Sequence, residues 1–180
     1  MSVKTQLKEA LDTYIDNFKA THGHNPMTYI DPQSPSPAAI VGTEQDELVQ
    51  WQVFTRPEGD SITDLGNALE VDFPAQLHEL FCSFFSGNLI AKVDGHDIEL
   101  LLPWNDDDFV HLQQNITGHV LMKRRLKQAD TVFIGLTDQE DLLLSVRVSD
   151  GAVCLEYVGK EPHHVLAQDI SEFLGLLMIP

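Results

Sequence analysis

The dipeptide Asp94-Gly95 sits between two runs, residues 88–93 (NLIAKV) and 96–102 (HDIELLL), in which apolar and polar side chains alternate. Alternation with a period of two marks a strand with one buried face, and Asp-Gly supplies the positive φ angles of a two-residue turn, so a β-hairpin is predicted. Three later runs, 131–136 (TVFIGL), 142–148 (LLLSVRV) and 152–158 (AVCLEYV), are rich in branched and apolar residues. The last two are joined by Ser149-Asp150-Gly151, and the three together predict an antiparallel meander.

Helical spacing fills most of the remaining chain. Val3, Leu7, Leu11, Tyr14, Ile15 and Phe18 predict a helix over 3–21, with Ser2 as N-cap and Gly23 and Pro26 as breakers. Ser61 followed by Asp64 suggests a capping box for a short helix through Leu69. After Pro74, the run 75–87 (AQLHELFCSFFSG) places Leu77, Leu80, Phe81, Phe84 and Phe85 on one side of a helix that ends at Gly87. Asn105 or Asp106 should cap a long helix with Phe109, Leu112, Ile116 and Val120 as its buried stripe. Lys123, Arg124, Arg125 and Lys127 suit its negative C-terminal end. A last helix is expected over about 165–177. Four prolines at 26, 32, 35 and 37 predict an extended surface loop over 26–42, and 48–54 (LVQWQVF) predicts a strand. The expected fold is a single α+β domain, residues 1–180, with a central, mostly antiparallel sheet flanked by helices.

Charge narrows the function. Asp plus Glu number 28 against 11 Lys plus Arg, a net charge of −17. That sign repels nucleic acid and anionic lipid and argues against either as a direct partner. The charge is uneven: residues 44–108 carry fifteen acids and only Arg56 and Lys92 as bases, a net −13. If these carboxylates share a face they attract a basic ligand; otherwise they are a solvated, solubilising surface. Cys82 and Cys154 belong to no CxxC or Cys/His cluster and read as reduced thiols. The first twenty residues lack an apolar signal core, and the longest apolar runs fall short of a membrane span. A cytoplasmic protein is expected.

No GxSxG elbow, GxxxxGK[ST] loop or GxGxxG fingerprint occurs. Cys82 lies in an apolar helix and reads as a packed thiol, and His78-Glu79-Leu80-Phe81-Cys82 resembles a zinc-protease helix only superficially. His22 with His24, and His163 with His164, read as loop residues, and His119 as a packed or hydrogen-bonded side chain. Catalytic residues, cofactor and metal are accordingly expected to be none. Asp106, Asp107 and Asp108 admit three readings: helix capping and dipole complementarity, a Mg²⁺ or Ca²⁺ site, or a corner that joins Asp94, Asp97 and Glu99 against Lys and Arg of a partner.

The run Trp104-Asn105-Asp106-Asp107-Asp108-Phe109, continuing through 114–119 (QNITGH), 123–127 (KRRLK) and 131–134 (TVFI), resembles the Syd family of SecY-interacting proteins. Ser145-Val146, residues 151–156 (GAVCLE), Leu166-Ala167 and Glu172-Phe173-Leu174 extend the resemblance. It implies a SUKH-like α+β scaffold and a non-enzymatic protein held at the cytoplasmic face of the inner membrane through SecY. Such a protein binds uncomplexed or misassembled SecY, or restrains the translocase. The positive-inside rule gives cytoplasmic loops of membrane proteins an excess of Lys and Arg, so an acidic surface has the right sign to recognise them. Asp94, Asp97, Glu99, Asp106, Asp107 and Asp108, with Asp64, Glu70 and Asp72, are the expected lining of an acidic groove for a basic SecY loop. Membrane contact would be indirect, through SecY. The basic cluster 123–127 could instead meet phospholipid, although capping its own helix suffices to explain it. Two other classes remain open: an immunity-type protein that neutralises a basic toxin, and a metal-dependent hydrolase.

Overall fold

In the computed structural model, which describes residues 1–180, the Ser2 hydroxyl accepts a hydrogen bond from the Thr5 amide at 3.1 Å and opens α1 (Val3–His22). Gly23, at φ +80°, closes the helix by donating its amide to the Lys19 carbonyl. The chain continues through β1 (Met27–Tyr29), β2 (Leu48–Gln50), β3 (Phe54–Thr55), α2 (Thr63–Leu69), α3 (Ala75–Cys82), β4 (Phe84–Phe85), β5 (Leu89–Val93) and β6 (His96–Leu100). Then come α4 (Asp106–Arg125), β7 (Thr131–Thr137), β8 (Leu142–Arg147), β9 (Val153–Tyr157), β10 (His164–Ala167) and α5 (Ile170–Leu176). Strands β5 to β10 form one antiparallel sheet in the order β10-β9-β8-β7-β6-β5. Every sheet neighbour is also a sequence neighbour, and α4 fills the one long connection, from β6 to β7. The expected α+β class, antiparallel sheet and hairpin are all present, the hairpin turning on Asp94 at φ +47° and Gly95 at φ +77°.

The sheet is covered on both faces. Successive strand residues point to opposite sides, and in β8 and β9 consecutive residues are buried, Leu144-Ser145-Val146 and Val153-Cys154-Leu155-Glu156. One face, with Val132, Ile134, Leu144, Val146, Val153 and Leu155, belongs to the aliphatic core, to which α1, α3 and α5 contribute. The other, with Thr131, Phe133, Ser145 and Glu156, packs against α4. No helix is long and apolar enough to cross a membrane.

Several local expectations are corrected. The Pro-rich loop contains a short strand, because Met27–Tyr29 pairs with Leu48–Gln50. The run 48–54 forms only Leu48–Gln50, and Phe54 starts a separate strand. Ile62 occupies the N-cap of α2 with no side-chain cap; Ser61 reaches the Thr63 amide at a long 3.3 Å, so no capping box forms. Helix α3 stops at Cys82, and Phe84-Phe85 turn into β4 against Phe54-Thr55. Arg56 explains this last change. Its guanidinium donates to the Phe81 carbonyl at 2.7 Å, sits 4.3 Å from the centroids of both Phe85 and Phe109, and is held by Asp60 at 2.8 Å. The Arg56 amide takes the Ser83 carbonyl that a continuing helix would use. Residues 164–167 extend as β10 on the edge of β9, and α5 starts only at Ile170, capped by Asp169.

The largest departure concerns Lys123. It is fully buried, not a surface charge at a helix end, and its ammonium donates to Glu156 Oε2 at 3.2 Å and to the Lys160 carbonyl at 2.6 Å. Glu156 is equally buried and accepts from Thr131 at 2.7 Å and Ser145 at 2.8 Å. Because Thr131 gives its only proton to Glu156, His119 Nε2, 2.8 Å from the Thr131 hydroxyl and 3.1 Å from the carboxylate, must be the donor. Burial works to raise the Glu156 pKa, but the hydrogen bonds from His119, Thr131 and Ser145 and the charge of Lys123 outweigh it and hold the carboxyl below its ordinary value. Removing one partner strands the other charge, so Lys123→Ala should cost about 3 to 5 kcal/mol in urea unfolding, measured against wild type. A depressed carboxyl stabilises the fold above the ordinary glutamate value of about 4.3 and loses that contribution as pH falls through the lower, folded value. The melting temperature of wild type should therefore drop on acidification below about pH 4.3, and that drop should be shallower in Glu156→Gln.

Candidate functional site

A cleft of about 670 Å³ opens between β1 with its following loop and the wall formed by Ser86-Gly87-Asn88, Leu102 and the N-terminal turn of α4. Its walls are joined by a small set of polar contacts. Asn105 caps α4 by accepting from the Asp108 amide at 2.8 Å, while its amide nitrogen donates to the Ser34 carbonyl at 2.9 Å. The Ser34 hydroxyl donates to Asp107 at 2.7 Å, and the Ser36 hydroxyl donates to the Trp104 carbonyl. The loop is thus tied across the start of α4. At the floor, Gly87 lies so close to Trp51 that a Cβ there would come within 2.4 Å of the indole, so any other residue would displace the wall. Asn88 accepts from the Leu102 amide at 3.0 Å and donates to Glu99 at 2.7 Å.

Three carboxylates, Asp31, Asp107 and Asp108, line this cleft together with Tyr29 and Trp104, and none of its 15 lining residues is Lys or Arg. Asp31 accepts from the Gln33 amide at 2.9 Å in a local turn. Asp108 reaches back to accept from the Trp104 amide at 2.8 Å, while its own amide donates to Asn105, so two side chains satisfy two amides at the start of α4. Each carboxylate keeps acceptor capacity beyond these bonds.

The nine acidic candidates fall in three places: the cleft and its back wall, the hairpin tip, and the region of α2. Asp107 and Asp108 line the cleft, with Asp106 beside them in the first turn of α4. Glu99 sits behind the cleft and orients Asn88. Asp94 stands in the hairpin turn, six residues along the strand from Asn88 or roughly 20 Å at about 3.3 Å per residue, and Asp97, opposite Lys92, is four residues along or roughly 13 Å away. Their charge is engaged locally: Asp94 with His164 at 3.1 Å and Asp97 with Lys92 at 2.8 Å, a bond that raises the Lys92 pKa. Asp64, Glu70 and Asp72 belong to α2 and the segment after it, where Arg124 donates to the Leu69 carbonyl at 2.8 Å. That is the opposite end of α4, about 30 Å from Asp106 along a 20-residue helix. Asp31 was absent from the expectation, because its approach to α4 depends on contacts across more than seventy residues of chain. Its only local signal is the Asp-Pro turn.

No group of three or more His, Cys, Asp or Glu side chains is arranged to hold a metal ion. Burial pushes the Cys82 thiol up to about 11, so it stays protonated at neutral pH despite the nearby Arg56. Arg124 is paired with Asp130 at 2.7 Å.

A family model described as Syd protein (SUKH-2) matches residues 4–178. The chain belongs to the Syd family. A protein named Syd from Pseudoalteromonas translucida is 49% identical over 179 residues, 99% of this chain and all of the relative. Syd proteins from Alteromonas mediterranea and Idiomarina loihiensis are 37% and 39% identical, over 98% and 93% of this chain and 96% and 91% of their own lengths. The match extends through both walls of the cleft.

Asn105 is the residue on which the site's construction depends. Asn105→Ala should lower stability by about 1 kcal/mol through the lost cap and raise hydrogen exchange across residues 33–36, read by mass spectrometry with β8 and β9 as unaffected references.

Proposed function

We propose that this Syd-family chain is a non-enzymatic SecY-binding protein that acts at the cytoplasmic face of the inner membrane. Its cleft takes a basic cytoplasmic loop of SecY, sequestering uncomplexed or misassembled SecY or restraining the translocase. The observation that carries this reading is the convergence of Asp31, Asp107 and Asp108 on one cleft without a Lys or Arg among its lining, in a chain of net charge −17. Basic loops of membrane proteins face the cytoplasm, and an acidic cleft attracts them while the rest of the surface is repelled by anionic lipid. Association with the membrane is then a property of the complex.

The two remote acidic groups, at the hairpin tip and behind α2, act in this reading through the long-range field and contribute to encounter more than to residence. Exposed ion pairs contribute only about 0 to 1 kcal/mol each, so the effects should be collective.

Detergent-solubilised SecY, alone and in its complete complex, should be captured by the immobilised protein at about 50 mM salt and released several-fold more readily at about 300 mM. The variant Asp106→Asn/Asp107→Asn/Asp108→Asn, which retains amide side chains able to cap α4, should reduce capture about tenfold at low salt. Asp94→Asn/Asp97→Asn should reduce it less than about threefold. Undiminished capture by the α4 variant would remove the cleft from the reading. No capture by wild type at either salt would overturn SecY as the partner and turn the search to basic toxins.

A further inference from the structure

Strand β1 forms one edge of its small sheet, and the Thr28–Tyr29 end of that edge opens into the cleft. Trp51 donates its amide to the Pro26 carbonyl at 3.0 Å and Ile30 donates to the Glu47 carbonyl at 2.9 Å, with Thr28 opposite Val49 between them. Hydrogen bonding alternates along an antiparallel pair, so the amide and carbonyl groups of Met27 and Tyr29 point away from β2. The far side of β2 is already occupied: Ile40 donates to the Gln50 carbonyl and Gln52 to the Ala38 carbonyl, both at 2.9 Å. Thr28 and Tyr29 both line the cleft. Neighbouring strand residues project to opposite faces, so a cleft lined by both meets the strand from its edge, and the edge toward β2 is filled.

The free edge is bounded. Pro26 precedes it and Pro32 follows it, and neither has an amide hydrogen, which limits the template to a short segment. Within that segment there is no Lys to repel an incoming strand, and Tyr29 is 75% exposed. Across the cleft stand Trp104, Asp107 and Asp108, and Asp31 lies two residues beyond Tyr29.

We infer that the cleft binds its partner by strand addition: an extended basic segment pairs with the amide and carbonyl groups of Met27 and Tyr29 and directs alternate Lys or Arg side chains to Asp31, Asp107 and Asp108. The inference rests on the acidic-cleft reading and adds the conformation of the ligand. Main-chain hydrogen bonds hold the segment, and the period-two spacing of its cations sets specificity, so a basic helix of equal charge fits poorly. Tyr29 and Trp104 supply aromatic surface along which the stems and guanidinium groups of those side chains can lie.

The test uses a fluorescent ten-residue peptide of alternating Arg and Thr, measured by anisotropy with the full-length protein at about 50 mM salt. Methylating the backbone nitrogens at one set of alternate positions should weaken binding at least about tenfold, and methylating the other set less than about threefold. An Ala-rich helical peptide with the same number of arginines should bind about tenfold more weakly than the parent. Tyr29→Pro removes a hydrogen donor that faces the cleft, not β2, and should match the sensitive methylation set, whereas Tyr29→Ala loses the ring contact but keeps that donor and should bind at least about threefold more tightly than Tyr29→Pro. Melting temperatures establish that both variants fold. Equal sensitivity of the two methylation sets, tight binding of the helical peptide, or no binding of any peptide overturns strand addition. SecY capture that survives Tyr29→Pro but is lost in the α4 aspartate variant would leave the acidic cleft in place and remove only the added strand.

Discussion

Glu156 is the point at which the two halves of the molecule are locked together. A carboxylate with 1% exposure is tolerable only when its charge is matched, and here a lysine with no exposure, a histidine from the same helix and two hydroxyls from the sheet converge on it. His119 and Lys123 are four residues apart and therefore lie on one face of α4, while Thr131, Ser145 and Glu156 come from three adjacent strands. Aliphatic packing alone would let a helix slide along a sheet. A directional set of hydrogen bonds at its C-terminal half fixes both register and axis, and so decides where the N-terminus of α4 emerges about 20 to 25 Å away.

That N-terminus carries the acidic cleft. The amide dipoles at a helix start stabilise Asp106, Asp107 and Asp108, so the same residues that cap α4 concentrate negative potential at one place on the surface. Asn105 adds the second wall by binding the loop that carries Asp31, and Glu99 holds Asn88 from behind. Capping and recognition are therefore compatible roles for these residues. A carboxylate that accepts one local amide retains lone pairs for a ligand cation.

Elements governed by contacts within a few residues were legible in the chain: the Asp94-Gly95 turn, the Ser2 and Asn105 caps, the buried stripe of α4 and the three-strand meander. Where two conformations suit the same local pattern, a distant partner chose between them. Phe84-Phe85 continue a helical spacing, yet pair with Phe54-Thr55 once Arg56 occupies the carbonyl groups behind them. Residues 164–167 fit a helix start, yet complete the open edge of β9. Lys123 among four nearby basic residues looked like a solvated helix end, because its counter-charge lies 33 residues later on another element. The acidic residues were each identifiable as acidic; whether they share a face was not, and they divide among the cleft, the hairpin tip and the far end of α4.

Sequence by itself determined the fold class and the negative charge, because periodicity, turn chemistry and composition are properties of neighbours along the chain, and its motifs and overall similarity determined the family to which the chain belongs. Tertiary structure alone decided which carboxylates meet, that Asp31 joins Asp107 and Asp108, that Lys123 and Glu156 are buried together, and that the free edge of β1 faces the same cleft. Those facts depend on contacts between residues tens of positions apart, and no local preference encodes which of several compatible partners the folded chain will bring within a hydrogen bond's reach.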